Sequence, residues 1–422
     1  MRIGRRKFLA AGAATAASAQ QPVVRLGIVG AGGRGTGLLR LLLRMEQVAV
    51  PALCDIRKEN LERAAGFVTA SGRAIPELYS GEEDYLRLAA RDDVDAVIIA
   101  TPWEWHARMA VAAMRAGKYA GVEVPAAITL EECWELVQVH EETGVPCMML
   151  ENWSFLRPNL AVLKMIRAGL FGEIVHCHCA HSHNCLYWYF DPEGNPRWSG
   201  LHLARRNADQ YPTHSLGPVL SWMNINCGDA FASLTSTATR SLGINHYFRK
   251  KFGPDHPSAK RRWKQADIVT SVVRTALGNT IVINNDMQLP RPYDNRWMIQ
   301  GTEGLYDEAR NAVYLSGRSP KYEQWKPFKP YQAQYDHIWW RRLEENVPDI
   351  GQGATDYLEL KLFVEAVAAR GPTPLDVYDS VTMSAVIAVS ERSIAAGSAP
   401  MPFPDFTRGR WRARKPTFAV EG

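Results

Sequence analysis

No part of this 422-residue chain approaches the roughly 20 consecutive apolar residues that a membrane-crossing helix needs. Its apolar runs, Ala10 to Ala17 and Val23 to Val29, are far shorter, so no membrane span is expected. Cysteine is scarce: seven residues, at 54, 133, 147, 177, 179, 185 and 227, odd in number and without framework spacing. A disulfide scaffold is not expected. Charge of one sign is also lacking. The formal net charge of +5 falls to +1 once Arg2, Arg5, Arg6 and Lys7 are set aside, which leaves no basic excess to argue for nucleic acid. The cluster Lys250, Lys251, Lys260, Arg261, Arg262 and Lys264 is interrupted by Pro254 and Pro257 and reads as a solvated loop. Internal repeats and low-complexity tracts are absent. What is present is an ordinary globular composition, 46% apolar and 22% charged. That supplies core enough for two or three domains without a disulfide or metal staple.

Residues 1–19 contain no acid. Gly4-Arg5-Arg6-Lys7-Phe8-Leu9 precedes a weakly apolar run and Ala17-Ser18-Ala19. A basic start, a short apolar middle and an A-x-A end describe a secretory signal peptide. The arginine pair followed by Phe8-Leu9 resembles the twin-arginine type. The expectation is a soluble protein exported from a bacterial cytoplasm, periplasmic or extracellular, by a route that carries folded proteins.

Beyond the leader, short β-branched runs alternate with helical patterns. Val23–Val29 reads as a buried strand, Leu38–Leu43 marks a helix, and Gln47–Cys54 is a second strand. Helices are expected over 58–70, 82–90, 107–116 and 130–143, with strands at 96–100 and 119–122. This pattern predicts a parallel sheet of βαβ units over 22–150. After Glu151 the texture changes. A helix over 159–168 is followed by strands at 174–181, 232–240, 268–276, 280–287 and 296–300, then helices at 358–369 and 381–395. That predicts an α+β domain over 151–399 with a large open, mostly antiparallel sheet. A Pro- and Arg-rich tail, 400–422, is expected to drape over the surface.

The first strand runs directly into Gly30-Ala31-Gly32-Gly33-Arg34-Gly35, a GxGxxG with a helix behind it. Asp55 ends the second strand twenty residues beyond Gly35. This is the dinucleotide signature of a Rossmann domain in full context. Gly30 allows the turn, Gly32 lets backbone approach the pyrophosphate, and Gly35 lets helix and strand pack. Helix amides face the phosphates, and Asp55 meets the adenosine ribose. A carboxylate there disfavours a 2′-phosphate, so NAD is expected rather than NADP, with Arg57 weakening the preference slightly.

Ala100-Thr101-Pro102, His106, Ala116-Gly117-Lys118 and Glu123-Val124-Pro125 follow in order. In this run the chain resembles the Gfo/Idh/MocA oxidoreductase superfamily. Most members have Glu-Lys-Pro where this chain has Glu123-Val124-Pro125, and that lysine serves dehydrogenase chemistry. Trp103-Glu104-Trp105-His106, Glu151-Asn152, Tyr211-Pro212-Thr213-His214, Met223-Asn224-Ile225-Asn226, Arg291-Pro292-Tyr293 and Gln300-Gly301-Thr302 are similar to one branch, glycoside hydrolase family 109, the NAD-dependent α-N-acetylgalactosaminidases. The resemblance implies that Gly30, Gly32, Arg34, Gly35, Asp55, Thr101, Trp103, Glu104, Trp105, His106, Glu123, Val124, Asn152 and Tyr211 contact a tightly held NAD. It implies a sugar pocket lined by His181, Tyr211, Pro212, Thr213, His214 and Tyr293. Two departures stand out. His181 occupies the place of a tyrosine proposed as base in the family. Gln352, in Ile350-Gly351-Gln352-Gly353-Ala354, replaces a histidine proposed as acid/base. Glutamine transfers no proton at ordinary pH.

The family route implied is redox-neutral: oxidation at C3 of a sugar, elimination across C1–C2, water addition and reduction. One trapped cofactor then turns over without an electron partner, which suits an exported protein. His214 is the candidate acceptor of the C3 hydroxyl proton, and Tyr211 stands beside it in the motif. His181 is read either as the C2 base or as a half-buried strand residue. Three functions stay open: a glycosidase acting on a hexoside, N-acetylated or not; a sugar or polyol dehydrogenase; and a sugar-binding protein that keeps NAD but is catalytically impaired. The small carbohydrate is the expected partner, with a second copy of the chain across the open sheet. The run His176, Cys177, His178, Cys179, His181, His183, Cys185 invites a metal reading. Strand geometry spreads the one-face residues across about 20 Å at roughly 3.3 Å per residue, so no metal is expected. Leu186-Tyr187-Trp188-Tyr189-Phe190 reads equally as a sugar-stacking wall or as core.

Overall fold

The computed structural model describes residues 22–347, 351 and 353–420. The leader over 1–19 and Gln352 lie outside the described residues. Strands β1 (Val24–Val29), β2 (Val48–Cys54), β3 (Glu77–Tyr79), β4 (Ala96–Ile99), β5 (Tyr119–Val122) and β6 (Cys147–Met149) form one parallel sheet, ordered β3-β2-β1-β4-β5-β6. Helices Gly33–Leu42, Lys58–Ala70, Asp84–Ala89, Trp103–Arg115 and Leu130–Thr143 connect them. β4 reads Ala-Val-Ile-Ile and is buried at every position, as a strand covered by helices on both faces must be. Thr129 starts the helix Leu130–Thr143 with a capping box to Glu132, and Gly144 ends it at φ +70°. The strand order reverses between β1 and β4, where doubly wound sheets bind their ligands.

The second sheet contains β7 (Ile174–Ser182), β8 (Phe231–Ala238), β9 (Val269–Thr275), β10 (Thr280–Asp286), β11 (Met298–Gly301), β12 (Gly304–Asp307), β13 (Ala312–Leu315), β14 (Lys326–Pro327) and β15 (Met401–Pro402). Their order is β14-β13-β12-β11-β7-β10-β9-β8-β15. β7 and β10 pair in parallel and the other neighbours antiparallel. Alternation along β7 buries Cys177 and Cys179 and turns His176 and His178 to the other face, where they meet Thr280 and Asn284 at 2.8 Å. Among the described residues, no helix is long and apolar enough to cross a membrane.

Two readings need correction. The basic stretch is not simply a loop: Lys250 and Lys251 fall in the last turn of the helix Gly243–Phe252, where positive charge suits the helix dipole. Residues 400–420 are not a loose tail. Met401–Pro402 adds the edge strand β15 to β8, and Phe403, Phe406, Trp411 and Phe418 are buried. Arg408 and Arg410 both pair with Glu141 of the nucleotide domain. The late helices Ala354–Ala369 and Val377–Ala395 pack against Gly33–Leu42 and Leu130–Thr143 respectively, so both sheets share one apolar core.

Candidate active site

At the carboxyl end of β1 the chain turns through Gly30 at φ +87°, a conformation natural to glycine. A Cβ on Gly35 would lie 1.8 Å from the Gly30 carbonyl oxygen, so only hydrogen fits between helix and strand. A Cβ on Gly32 would meet nothing within 4 Å. The tight glycine and the open one thus divide as a dinucleotide requires: packing below, room for a pyrophosphate above. Asp55, just past β2, accepts the Ala31 amide at 2.8 Å and the Arg57 amide at 2.8 Å.

Arg34 links three segments of the chain. Its Nε donates to Glu123 at 2.5 Å and its Nη1 to Asp356 at 2.7 Å. Asn152 Nδ2 donates to the same Asp356 at 2.6 Å, while the buried Asn152 Oδ1 has no partner. Burial works against the Arg34 charge, but Glu123 and Asp356 hold the group protonated. One turn further along the helix from Asp356, Glu359 is fully buried with both carboxylate oxygens unpartnered. Burial, then the Asp356 and Glu123 charges, pushes it well above the carboxylate range. No pattern in its apolar helix marked it out.

The remaining cofactor candidates lie on and around the helix Trp103–Arg115. Trp103 is buried, stacked with Tyr211 at 5.8 Å and packed on Trp188 and Trp198. Glu104 meets His202 at 3.4 Å. Trp105 packs elsewhere, against Tyr85 and beneath Arg108. His106 is buried, with Nδ1 2.8 Å from the Pro125 carbonyl and Nε2 2.7 Å from the Thr101 carbonyl. It fastens the Thr101 turn to the Val124–Pro125 segment, and burial lowers its pKa. Val124 is buried and apolar. Of the aromatic stretch after Cys185, Leu186, Tyr189 and Phe190 are core with Phe248 and Trp263; Trp188 faces Trp103 and Tyr211.

The sugar-side candidates come together from four segments. The helix Thr213–Trp222 begins right after Pro212, which sets His214 on its first turn. His214 Nδ1 lies 2.9 and 2.8 Å from the two carboxylate oxygens of Glu151. Its Nε2 is 3.4 Å from the Tyr211 hydroxyl. Glu151 is fully buried and also accepts the Trp153 amide at 3.0 Å. His181, next to last in β7, is buried with its ring centroid 5.2 Å from that of His214 and 5.1 Å from Tyr211. Its Nδ1 lies 3.5 Å from the hydroxyl of Tyr293, which is 39% exposed at the mouth of the site. Burial, and then the charges of His214 and His183, hold His181 well below the ordinary histidine range. Pro212 and Thr213 are buried, and Thr213 Oγ1 has no partner. Sequence reasoning placed His214 but missed its partnership with Glu151. The two lie 63 residues apart, and the only signal was the Glu151-Asn152 match.

The expectation of no metal rested on the spread of donors along one strand face. The strand ends at Ser182, and the chain continues beside Asp286 and Met287 before the helix Leu186–Tyr189. There the donor atoms of His181, His183 and Cys185 lie within 4.8 Å of one another. Cys177 and Cys179 are buried in the core.

A glycine cradle at the switch point, an unpartnered buried amide oxygen beside it and a buried carboxylate–imidazole pair are the parts of an NAD-binding enzyme. The model for the oxidoreductase family, NAD-binding Rossmann fold, matches residues 24–151. The model for the glycosyl hydrolase 109 C-terminal domain matches residues 155–413. A glycosyl hydrolase family 109 protein of Stenotrophomonas maltophilia is 40% identical across 99% of this chain and 98% of its own length. An alpha-N-acetylgalactosaminidase of Tannerella forsythia is 40% identical across 94% and 89%. The chain belongs to glycoside hydrolase family 109. Among solved structures it has the fold of levoglucosan dehydrogenase with NADH and L-sorbose, with a TM-score of 0.68 and 20% identity over 91% of this chain and 100% of that one. An NAD-binding oxidoreductase from Klebsiella pneumoniae gives a TM-score of 0.71 at 18% identity over 91% and 100%. The chain is thus an NAD-dependent glycosidase or oxidoreductase.

Proposed function

We propose that this chain is an exported glycosidase acting on a hexoside, N-acetylated or not, by a redox-neutral sequence of oxidation, elimination, addition and reduction. The observation that carries the reading is the Glu151–His214–Tyr211 relay beside the glycine cradle. NAD held tightly at Gly30–Gly35, Arg34, Asp55, Glu123 and Asn152 supplies reversible hydride acceptance at a sugar carbon. The residues do the rest. His214 takes the hydroxyl proton at the carbon being oxidised, and buried Glu151 steadies the resulting imidazolium and fixes the ring. Tyr211 orients the sugar through its hydroxyl. His181, kept neutral by burial, takes the proton from the carbon next to the new ketone. Trp103, Trp188 and Tyr211 exclude water. The relative from Tannerella forsythia, an alpha-N-acetylgalactosaminidase by name, makes N-acetylgalactosaminides the first substrates to try.

The twin-arginine-like leader supports export. The outward face of the second sheet, carrying half-buried His176 and His178 and exposed Val272, is the surface proposed for a second copy of the chain. The relay serves an ordinary sugar dehydrogenase equally well, so that remains the second reading. The test is a panel of aryl glycosides and free sugars, with NADH followed by absorbance and NAD counted after denaturation. Aryl-glycoside cleavage without net NADH, with about one NAD per chain, supports the glycosidase. Steady NADH formation from a free sugar supports the dehydrogenase. Neither activity, with NAD still present, leaves the impaired sugar-binding protein.

A further inference from the structure

The strongest unabsorbed feature is the triad His181, His183 and Cys185. Its donor atoms lie within 4.8 Å of one another at the edge of the sugar site. Tetrahedral zinc bonds of about 2.0–2.3 Å place neighbouring ligand atoms roughly 3.3–3.8 Å apart. The triad is therefore about one ångström from closing on an ion, within reach of small side-chain rotations. The chain is already turned to allow it. The His183 amide donates to Asp286 at 2.7 Å and the Cys185 amide to Met287 at 2.8 Å, pinning the backbone after β7 to the strand beside it. Among the described residues the His183 ring and the Cys185 thiol have no hydrogen bond, and His181 has one, through Nδ1 to Tyr293. His181 and Cys185 are buried and His183 is half-buried, so an ion would sit at the pocket wall with one side open.

We propose that His181, His183 and Cys185 form a binding site for a late first-row divalent cation, zinc foremost, with a fourth position open toward the sugar pocket. Two imidazoles and one thiolate are a donor set that selects zinc over calcium or magnesium. Three protein ligands with one open position is the arrangement of zinc sites that meet water or substrate. On binding, the Cys185 thiol gives its proton to solvent; no electron is transferred. The site shares His181 with the reaction proposed above, so metal occupancy and proton transfer by that imidazole exclude one another. Binding itself does not depend on that reaction.

The test uses the full chain without an affinity tag, stripped with a chelator and titrated with cobalt(II), then zinc. One equivalent of cobalt is expected to give a thiolate charge-transfer band in the near ultraviolet and the visible bands of a tetrahedral ion, both removed by zinc. Cys185→Ser should abolish the near-ultraviolet band. His183→Ala, at a half-buried position, should weaken zinc binding by more than the about 10–100-fold typical of losing an outer partner, with an unchanged melting temperature of the metal-free chain as the check on folding. His178→Ala, on the opposite face of β7, should leave it unchanged. No cobalt band in the unaltered protein overturns the inference, and so does a band that survives His183→Ala undiminished. Zinc binding by a chain that cleaves no glycoside even when stripped of metal keeps this site and removes the glycosidase reading. Cleavage that zinc leaves untouched, with no cobalt band, does the reverse.

Discussion

His214 Nδ1 sits within 2.9 Å of both carboxylate oxygens of Glu151, a residue with no exposed surface. A buried carboxylate so placed fixes one tautomer: Nδ1 donates, and Nε2 faces Tyr211 and the substrate as acceptor.

Glu151→Gln should break that assignment with little change in shape, because the amide can offer N–H where an acceptor is needed. Turnover is expected to fall by about 10² to 10⁴, with NAD content unchanged after denaturation. An unaltered turnover number would remove Glu151 from the proton path.

His181→Ala should stop exchange of the sugar C2 hydrogen with deuterated solvent while bound NAD remains. Exchange would be followed by proton resonance on a substrate that is oxidised but cannot eliminate. Exchange that persists returns His181 to a buried strand role.

The two glycines of the cradle separate folding from binding. Gly35→Ala forces a carbon to 1.8 Å from the Gly30 carbonyl oxygen and should lower the melting temperature sharply. Gly32→Ala meets nothing within 4 Å and should melt normally yet purify with far less NAD, since its methyl enters the space read as the pyrophosphate's.

With Gln352 where the family has a histidine, leaving groups that need no proton should be favoured. Activated aryl glycosides are expected to outpace alkyl glycosides by about 10² to 10⁴, the usual worth of a positioned acid. Gln352→His should narrow that gap selectively. Equal rates on both classes in the unaltered chain would mean that another acid serves.

Asp209 is fully buried behind Tyr211, with Oδ1 accepting from Asn285 at 2.7 Å and Oδ2 unpartnered. Burial pushes it from 3.8 up to about 6. As pH rises from 3.8 to 6 the unfolded chain releases a proton that the folded chain keeps, so stability falls across that window and stays lowered above it. Asp209→Asn should therefore raise stability at pH 8 by about 1–3 kcal/mol and change little at pH 4. Melting temperatures at the two pH values check the sign.

The nucleotide half was legible because its signals are local. Glycines, strand and Asp55 lie within one βαβ unit, and β1, β2, β4 and β5 are short apolar runs; β3 and β6, three residues each, carry too little pattern to be read. The second half was legible in its long strands, in the short β11 and in the helices Arg157–Arg167, Ala354–Ala369 and Val377–Ala395. The helices Trp198–Arg205 and Thr213–Trp222 carry Gly200, Gly217 and Pro218 inside them, which breaks the periodicity that announces a helix. β12, β13 and β14 span four residues or fewer and are held by their neighbours rather than by their own pattern. The Glu151–His214 pair and the Arg34–Asp356 link, 322 residues apart, are products of tertiary packing that no spacing in the chain displays.

That Arg34–Asp356 link also orders events in time. Domains fold broadly from the amino terminus as the ribosome delivers them, and the parallel sheet is complete in sequence at Met149. Yet the carboxylate facing Arg34 and Asn152 arrives only with the helix Ala354–Ala369, and the last strand of the other sheet only at Met401–Pro402. A nascent chain therefore holds a finished dinucleotide cradle with one wall missing for most of its synthesis. Cofactor capture is expected to await that helix, and a chain lacking residues 400–422 would keep this wall but leave the strand β8 as an open edge for association.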